Sequence, residues 1–444
     1  MSLPRYPAYK DSGVAWLGAV PGHWDVRKIR WICEIKKRIS GELGHDVLSI
    51  TQQGIKIKDI ESNDGQISMD YSKYQFVEVG DFAMNHMDLL TGYVDISNVL
   101  GVTSPDYRVF SIRDKKDCYD KYVLYLFQMG YRNKIFYAFG QGSSQLGRWR
   151  LPTEQFKDFF FPLPSAEEQQ AIAAFLDRET GKIDALVAVQ EKLIQLLREK
   201  RQAVISHAVT KGLDPAAPMK DSGIEWLFEV PEHWEVKRLK YLVEVLLSNI
   251  DKHTVEDEPS VLLCNYTDVY KNERIDASIE FMTATASPEQ IRRLTLEIGD
   301  VIITKDSEDP KDIGVPAYVK EILPNLVCGY HLALLRPRTE INGGYLYYLF
   351  KSRYVAVSFE TEATGMTRYA LGKYSIENLQ ILLPPAEEQS AITTFLDRET
   401  AKLDALTAEA QRGIELLKER RSALISASVT GKIDVRGIAA IGTV

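Results

Sequence analysis

The sequence predicts two compact α/β (α+β) domains joined by two long helices, which pair as an antiparallel coiled coil and make the chain pseudo-two-fold symmetric. Three observations carry that expectation. First, two blocks occur twice. KDSGVAWLGAVPGHWDVRKIRWICEI at 10–35 returns as KDSGIEWLFEVPEHWEVKRLKYLVEV at 220–245, and LPSAEEQQAIAAFLDRETGKIDAL at 163–186 returns, identical at all but six positions, as LPPAEEQSAITTFLDRETAKLDAL at 383–406. Second, the stretches between the blocks, 36–162 and 246–382, scarcely match, so a repeated frame holds two different contents. Third, a heptad pattern of apolar residues runs through each copy of the second block and beyond it.

In chain order, the first variable domain covers 1–162. Within it FVEVGDFAMN and YRVFSI read as strands bounded by turn residues, and YDKYVLYLFQMG reads as an apolar helix. The first helical repeat, 163–212, opens on Pro164 and Ser165 before two glutamates and has no proline inside it, which suits one long helix over 166–210. Its seam is Ile172, Leu176, Ile183, Leu186, Leu193, Leu197 and Val204. The second variable domain, 213–382, carries the strand-like DVIITK and LALLRP and the apolar GGYLYYLFKS. The second helical repeat, 383–434, has the seam Ile392, Leu396, Leu403, Leu406, Leu417 and Leu424, and 435–444 is a C-terminal tail.

Such a seam must be buried, and its copy is the available partner. The short linker KGLDPAAP places the end of one helix beside the start of the other, which makes the pair antiparallel. Charge agrees: antiparallel pairing about Gln190 sets Glu179 against Arg420 and Lys200 against Glu399, whereas parallel pairing would oppose like charges.

Hydrophobic content of 45% and charged content of 26% fit a globular chain, and no apolar run approaches the roughly 18 residues of a membrane span. No charged-then-apolar leader opens the sequence, and Cys33, Cys118, Cys264 and Cys328 are scattered. Both features lead to the expectation of a reducing cytoplasm, with no metal site. The net charge of −8 argues against a chain that grips nucleic acid unaided. Basic residues are nonetheless patched: from Lys121 to Thr153 there are Lys121, Arg132, Lys134, Arg148 and Arg150 and no acid.

The motifs KDSG-x-x-WL…VP-x-HW and LP-x-AEEQ-x-AI…FLDRET-x-K-x-DAL, each present twice in the order variable–helix–variable–helix, resemble the specificity subunit of type I restriction-modification systems across the whole chain. The resemblance implies a non-catalytic DNA-binding subunit. Its two variable, target-recognition domains each read half of a bipartite, asymmetric site in double-stranded DNA, and its helices dock two methyltransferase subunits. Restriction or motor subunits join in some complexes. It also implies that S-adenosylmethionine belongs to the methyltransferase partner, that ATP and Mg belong to the restriction partner, and that this chain carries no cofactor. Adenine-N6 methylation and ATP-dependent cleavage would then be activities of the complex.

Candidate DNA-binding residues follow from chemistry and position. In GQGSSQLGRWR (140–150), Gln141, Ser143, Ser144, Gln145, Arg148 and Arg150 combine close backbone approach with groups that bond base edges or phosphate. The counterpart before the second helix, ATGMTRYALGKYS, offers Thr367, Arg368, Tyr369 and Lys373. A second set is Asn85, His86, Asn98, Arg108 and Lys305. His23-Trp24 and His233-Trp234 read as structural anchors. Two rival functions remain: a coiled-coil interaction protein with no nucleic-acid role, or a nuclease built on the PD…DxK string Pro105, Asp106, Asp114 and Lys116.

Overall fold

The computed structural model describes residues 3–59, 71–144, 148–224, 227–321 and 323–437. The chain divides into two compact units, Met1–Gln190 with Arg412–Val444, and Glu191–Gln411. The two long helices, Ala166–Lys211 and Ala386–Val429, are each shared between the units. The predicted extent of the first helix, 166–210, is met almost to the residue because Ser165 precedes its start and Gly212, at φ +76°, follows its end. Gly431 lies two residues after the end of the second helix at φ +73°, and a Cβ there would lie 2.3 Å from Pro21 Cδ. No helix among the described residues is long and apolar enough to cross a membrane.

The first unit is built on strands β1 (Cys33–Lys36), β2 (Phe82–Met84), β3 (Val94–Ile96) and β4 (Arg108–Ile112), all antiparallel in the order β1-β4-β2-β3. A hairpin of β5 (Gln141–Ser144) and β6 (Arg148–Arg150) follows, then a short helix, Thr153–Asp158. The predicted apolar helix is Asp120–Arg132. Phe82, Phe110, Phe127 and Phe161 fill the core together with Ile172, Phe175 and Leu176 of the first long helix and Ile425 and Val429 of the second. Aromatic packing thus seals the sheet against both helices.

The second unit repeats the plan with different residues. Its strands are β7 (Val243–Leu247), β8 (Arg274–Ile275), β9 (Val301–Thr304), β10 (Pro316–Val319) and β11 (Leu332–Pro337), in the order β7-β11-β9-β10-β8. The first four positions of that order match β1-β4-β2-β3. Tyr345, Leu346, Leu349, Ile392 and Leu396 pack with Ile205 and Val209 in its core. Apart from the parallel β10–β8 pair, this sheet is antiparallel. The α+β half of the predicted class describes both units better than α/β.

The duplicated blocks fasten the helices to these units. Glu168, in the first turn, accepts hydrogen bonds from the Tyr6 hydroxyl at 2.7 Å and Trp24 Nε1 at 3.1 Å, and His23 Nε2 lies 2.8 Å from its other oxygen. Glu388 likewise accepts from Trp234 Nε1 at 3.0 Å and lies 2.8 Å from His233 Nε2. Gln169 donates to the Pro164 and Asp117 carbonyls, and Gln389 to those of Pro384 and Glu340. The histidine-tryptophan pairs are the anchors the sequence suggests.

The helix seam corrects the prediction in one row. Ile172, Leu176, Ile183 and Leu197 are buried as expected, as are Ile392, Leu396 and Leu403, while Val204, Leu417 and Leu424 are half-buried. Leu186, Leu193 and Leu406 are instead 51%, 42% and 50% exposed, while Ile194, one residue after Leu193, and Ile414, between Leu406 and Leu417, are buried. Shifting Glu179, Leu186, Leu193 and Lys200 on by one residue gives Thr180, Val187, Ile194 and Arg201, the row that faces inward. The same shift applies to Glu399, Leu406 and Arg420 on the second helix. The predicted charge pairs move accordingly. Glu179 pairs with Arg178 and Lys182, and Glu399 with Arg398 and Lys402, each on its own helix. Between helices, Arg421 binds Asp184 at 3.0 Å within the first unit and Arg201 binds Asp404 at 2.9 Å within the second. Heptad spacing offers two flanking rows to each central row, and the side on which the partner crosses selects between them.

Candidate nucleic-acid interface

In the first unit the Gly/Ser-rich segment is a hairpin and not an open loop: Gln141 pairs with Arg150 and Ser144 with Arg148. Gln141 and Arg150 are exposed. Gln145 lies outside the described residues, as do the side chains of Ser143, Ser144 and Arg148. Trp149 holds the hairpin down, donating from Nε1 to the Tyr137 carbonyl at 2.8 Å. Gly140 is needed beneath it, since a Cβ would come within 2.2 Å of that nitrogen. The Leu151 amide donates to the His86 carbonyl at 2.9 Å, so the hairpin's exit strand is tied to the end of β2.

That tie brings members of the second candidate set under the hairpin. His86, Arg108 and Arg150 line one cavity of about 270 Å³ with Lys36, Lys37 and Asp106. Arg108 is 4% exposed and lies over the Phe156 ring, 4.3 Å from its centroid, donating to the Leu151 carbonyl at 3.0 Å. Burial pulls its pKa down to about 10. Burial, followed by repulsion from Arg108 and Arg150, pulls His86 down to about 3, so its imidazole is neutral at physiological pH. Asn85 is absorbed locally, its side-chain oxygen accepting from the Met87 amide at 3.3 Å. Asn98 sits in the turn after β3 and is not among the residues lining the cavity.

In the second unit the matching segment is tied in the same way. The Leu371 amide donates to the Lys305 carbonyl at 2.8 Å, and Tyr369–Ala370 pairs with Asp306–Ser307. Thr367 and Arg368 are exposed and Tyr369 is half-buried. Arg368 approaches His331 at 3.5 Å. Asp306, 8% exposed, accepts from Lys305 at 3.3 Å and is also bound by His331. Lys373 opens the following helix and faces Glu377 at 3.5 Å.

Strand register makes the two sites equivalent. Phe82 pairs with Phe110 as Val301 pairs with Leu335, which matches Arg108 to Ala333 and Asp106 to His331. Counting from Leu151 and Leu371 matches Arg148 to Arg368, and His86 matches Lys305. The sequence carries one further signal of this equivalence, VEVGD at 77–81 and LEIGD at 296–300. In both, the aspartate side chain accepts from the glutamate amide at 2.8 Å, and an arginine, Arg38 or Arg336, binds that aspartate. This motif aligns the variable regions and leads directly to His86 and Lys305.

Each site presents an exposed arginine-bearing segment with hydrogen-bonding side chains around it, the equipment for contacting base edges and phosphates. The rival nuclease string does not assemble. Asp106 and Asp114 lie beyond opposite ends of the five-residue β4, and Asp114 accepts from the Lys116 amide at 2.8 Å in its own turn. A five-residue strand separates its ends by about 13 Å, too far for two carboxylates to share one ion.

Comparison with known proteins agrees with the duplication. The family model described as type I restriction modification DNA specificity domain matches twice, over residues 21–195 and 231–416. A Methanocaldococcus jannaschii protein assigned as the specificity subunit of the type I restriction enzyme MjaX is 22% identical over 439 residues, covering 95% of this chain and 96% of its own. A chain solved in work on complex assembly and conformational transition of the type I R-M system superimposes with a TM-score of 0.70 at 14% identity, over 92% of this chain and 98% of its own. The HsdS subunit of Thermoanaerobacter tengcongensis does so with a TM-score of 0.53 at 16% identity, over 93% and 98%.

Proposed function

The chain belongs to the type I restriction modification DNA specificity family and is the specificity subunit of such a system, and from that premise we propose that each compact unit reads one half of a bipartite, asymmetric DNA site. One observation supports the reading above the others. Two sequences that scarcely match hang an arginine-bearing segment, Arg148–Leu151 or Arg368–Leu371, from the same sheet position through the same backbone hydrogen bond. A shared frame with different side chains suits two related but unequal half-sites. Gln141, Ser143, Ser144, Gln145, Arg148 and Arg150 serve one half, and Thr367, Arg368, Tyr369 and Lys373 the other.

The long helices form an antiparallel coiled coil in this reading. The Asp184–Arg421 pair within one unit and the Arg201–Asp404 pair within the other support that direction. The specificity subunit binds DNA and assembles with the other subunits of its system. We infer two methyltransferase subunits, because a duplicated frame offers two equivalent docking places. Methyl transfer from S-adenosylmethionine belongs to those partners. ATP and Mg belong to a restriction subunit, and this chain holds no cofactor of its own.

Exchange of residues 218–382 for another family member's equivalent, followed by mapping of methylated adenines in cells carrying the methyltransferase partner, tests the reading. One half of the recognised sequence changes and the other stays. A change in both halves together would overturn one domain for each half.

A further inference from the structure

We propose that the cavity beneath the first unit's hairpin is a phosphodiester site, in which Arg108 holds a non-bridging oxygen of the DNA backbone, Arg150 closes over it, and the second unit has no counterpart. The proposal rests on the DNA-reading function and adds to it a ligand group, an anchoring residue and an asymmetry.

The argument starts from an uncompensated charge. Arg108 is almost wholly buried, yet no carboxylate lies within ion-pairing distance of it among the described residues. One terminal nitrogen donates to the Leu151 carbonyl at 3.0 Å and reaches Thr153 Oγ1 at 3.4 Å. The other is buried and has no hydrogen-bond partner. Nδ1 of His86, on the same cavity, is also buried without a partner. A buried cation left unpaired costs several kcal/mol, and stacking on Phe156 offsets only part of that. An anion with oxygens about 2.7–2.9 Å from the guanidinium would satisfy it.

Charge around the cavity agrees. Lys36, Lys37, Arg108 and Arg150 line it against one carboxylate, the exposed Asp106. Lys36 is engaged by Glu34 at 2.5 Å, while Lys37 and Arg150 are exposed at the cavity and Arg108 is buried behind them. At about 270 Å³ the cavity admits a phosphate group with water and is tight for a whole nucleotide.

The second unit supplies an internal comparison. The residue matched to Arg108 is Ala333, and the one matched to Arg150 is Ala370. Two of the basic groups there, Lys305 and His331, already share the buried carboxylate of Asp306, and the third, Arg368, lies exposed at 3.5 Å from His331. An anion thus occupies the equivalent place from within the chain, and no phosphate is needed to complete it.

The test uses the assembly of this chain with its methyltransferase partner. Its affinity for a cognate and an unrelated duplex is measured between 50 and 200 mM salt, values spanning the range in which phosphate contacts register. Arg108→Met, which keeps the stem on Phe156, is expected to weaken both duplexes alike by about tenfold and to reduce the salt slope by about one. Arg150→Gln, at an exposed position that does not threaten folding, shifts the slope in the same direction by a smaller amount. A loss confined to the cognate duplex, or an unchanged slope in both variants, would overturn the proposal. A second arm measures thermal stabilisation of the full chain by inorganic phosphate, expected for the wild type and absent in Arg108→Met. Stabilisation by phosphate with DNA affinity untouched would make the cavity a site for free anion and refute the DNA source. Failure of the wild-type assembly to bind any duplex would count against the DNA-reading function itself, while the phosphate arm still decides the cavity.

Discussion

Glu168→Ala is predicted to destabilise the protein about twice as much as the same change at its duplicate, Glu388. The Glu168 side chain is 5% exposed and satisfies two buried donors, the Tyr6 hydroxyl and Trp24 Nε1, on residues 4% and 0% exposed. His23, with its side chain 47% exposed, re-solvates when the carboxylate is lost. Each buried donor left without an acceptor costs about 1–3 kcal/mol, so the substitution costs about 2–6 kcal/mol. Glu388 serves one buried donor, Trp234 Nε1, because no tyrosine stands where Tyr6 does and His233 is solvated like His23. Its loss costs about 1–3 kcal/mol. Glu168→Gln keeps an acceptor and falls between the two. Urea unfolding of the three variants, followed by tryptophan fluorescence, supplies the comparison. Equal losses at the two positions, or a larger loss at Glu388, would show that hydrogen-bond count at the helix start does not control how the helices are fastened.

Other consequences follow from the same geometry. A double-mutant cycle on Arg201 and Asp404 should give a coupling of about 0.5 kcal/mol, and the predicted but unformed pair Lys200 and Glu399 none. Coupling at Lys200–Glu399 would restore the original register. Asp306→Asn frees Lys305 and His331 from their internal anion, so the assembly should bind unrelated DNA several-fold more tightly at low salt, with a steeper salt slope. Unchanged binding in fluorescence anisotropy refutes this. His86 is held neutral in the fold down to about pH 3, whereas the unfolded chain protonates it near its ordinary value of 6.5. The unfolded state therefore binds more protons between those limits, and stability falls as pH drops through that window. Acid titrations of His86→Gln should lose stability less steeply there, and an identical profile would contradict the assignment.

The helices were legible because their signals are local: a capped start, an unbroken heptad and a glycine after the end act within a few residues of one another. The histidine-tryptophan anchors and the arginine-bearing segments were legible because their blocks are duplicated, and repetition exposes a frame even where its purpose is unknown. The VEVGD and LEIGD pair was equally visible, but it is short and lies in regions whose surroundings diverge. The sequence by itself thus determined the repeated frame, the two long helices and the position of the exposed arginines. Tertiary structure alone decided three things: that Arg201 and Arg421, not Lys200 and Arg420, pair across the helices; that Arg108 and His86 meet Arg150 around one cavity; and that Asp306 neutralises the equivalent place in the second unit. Each depends on which strand or helix face lies opposite. That is set by long-range pairing, whose partners are tens to hundreds of residues apart and leave no periodic trace in the chain.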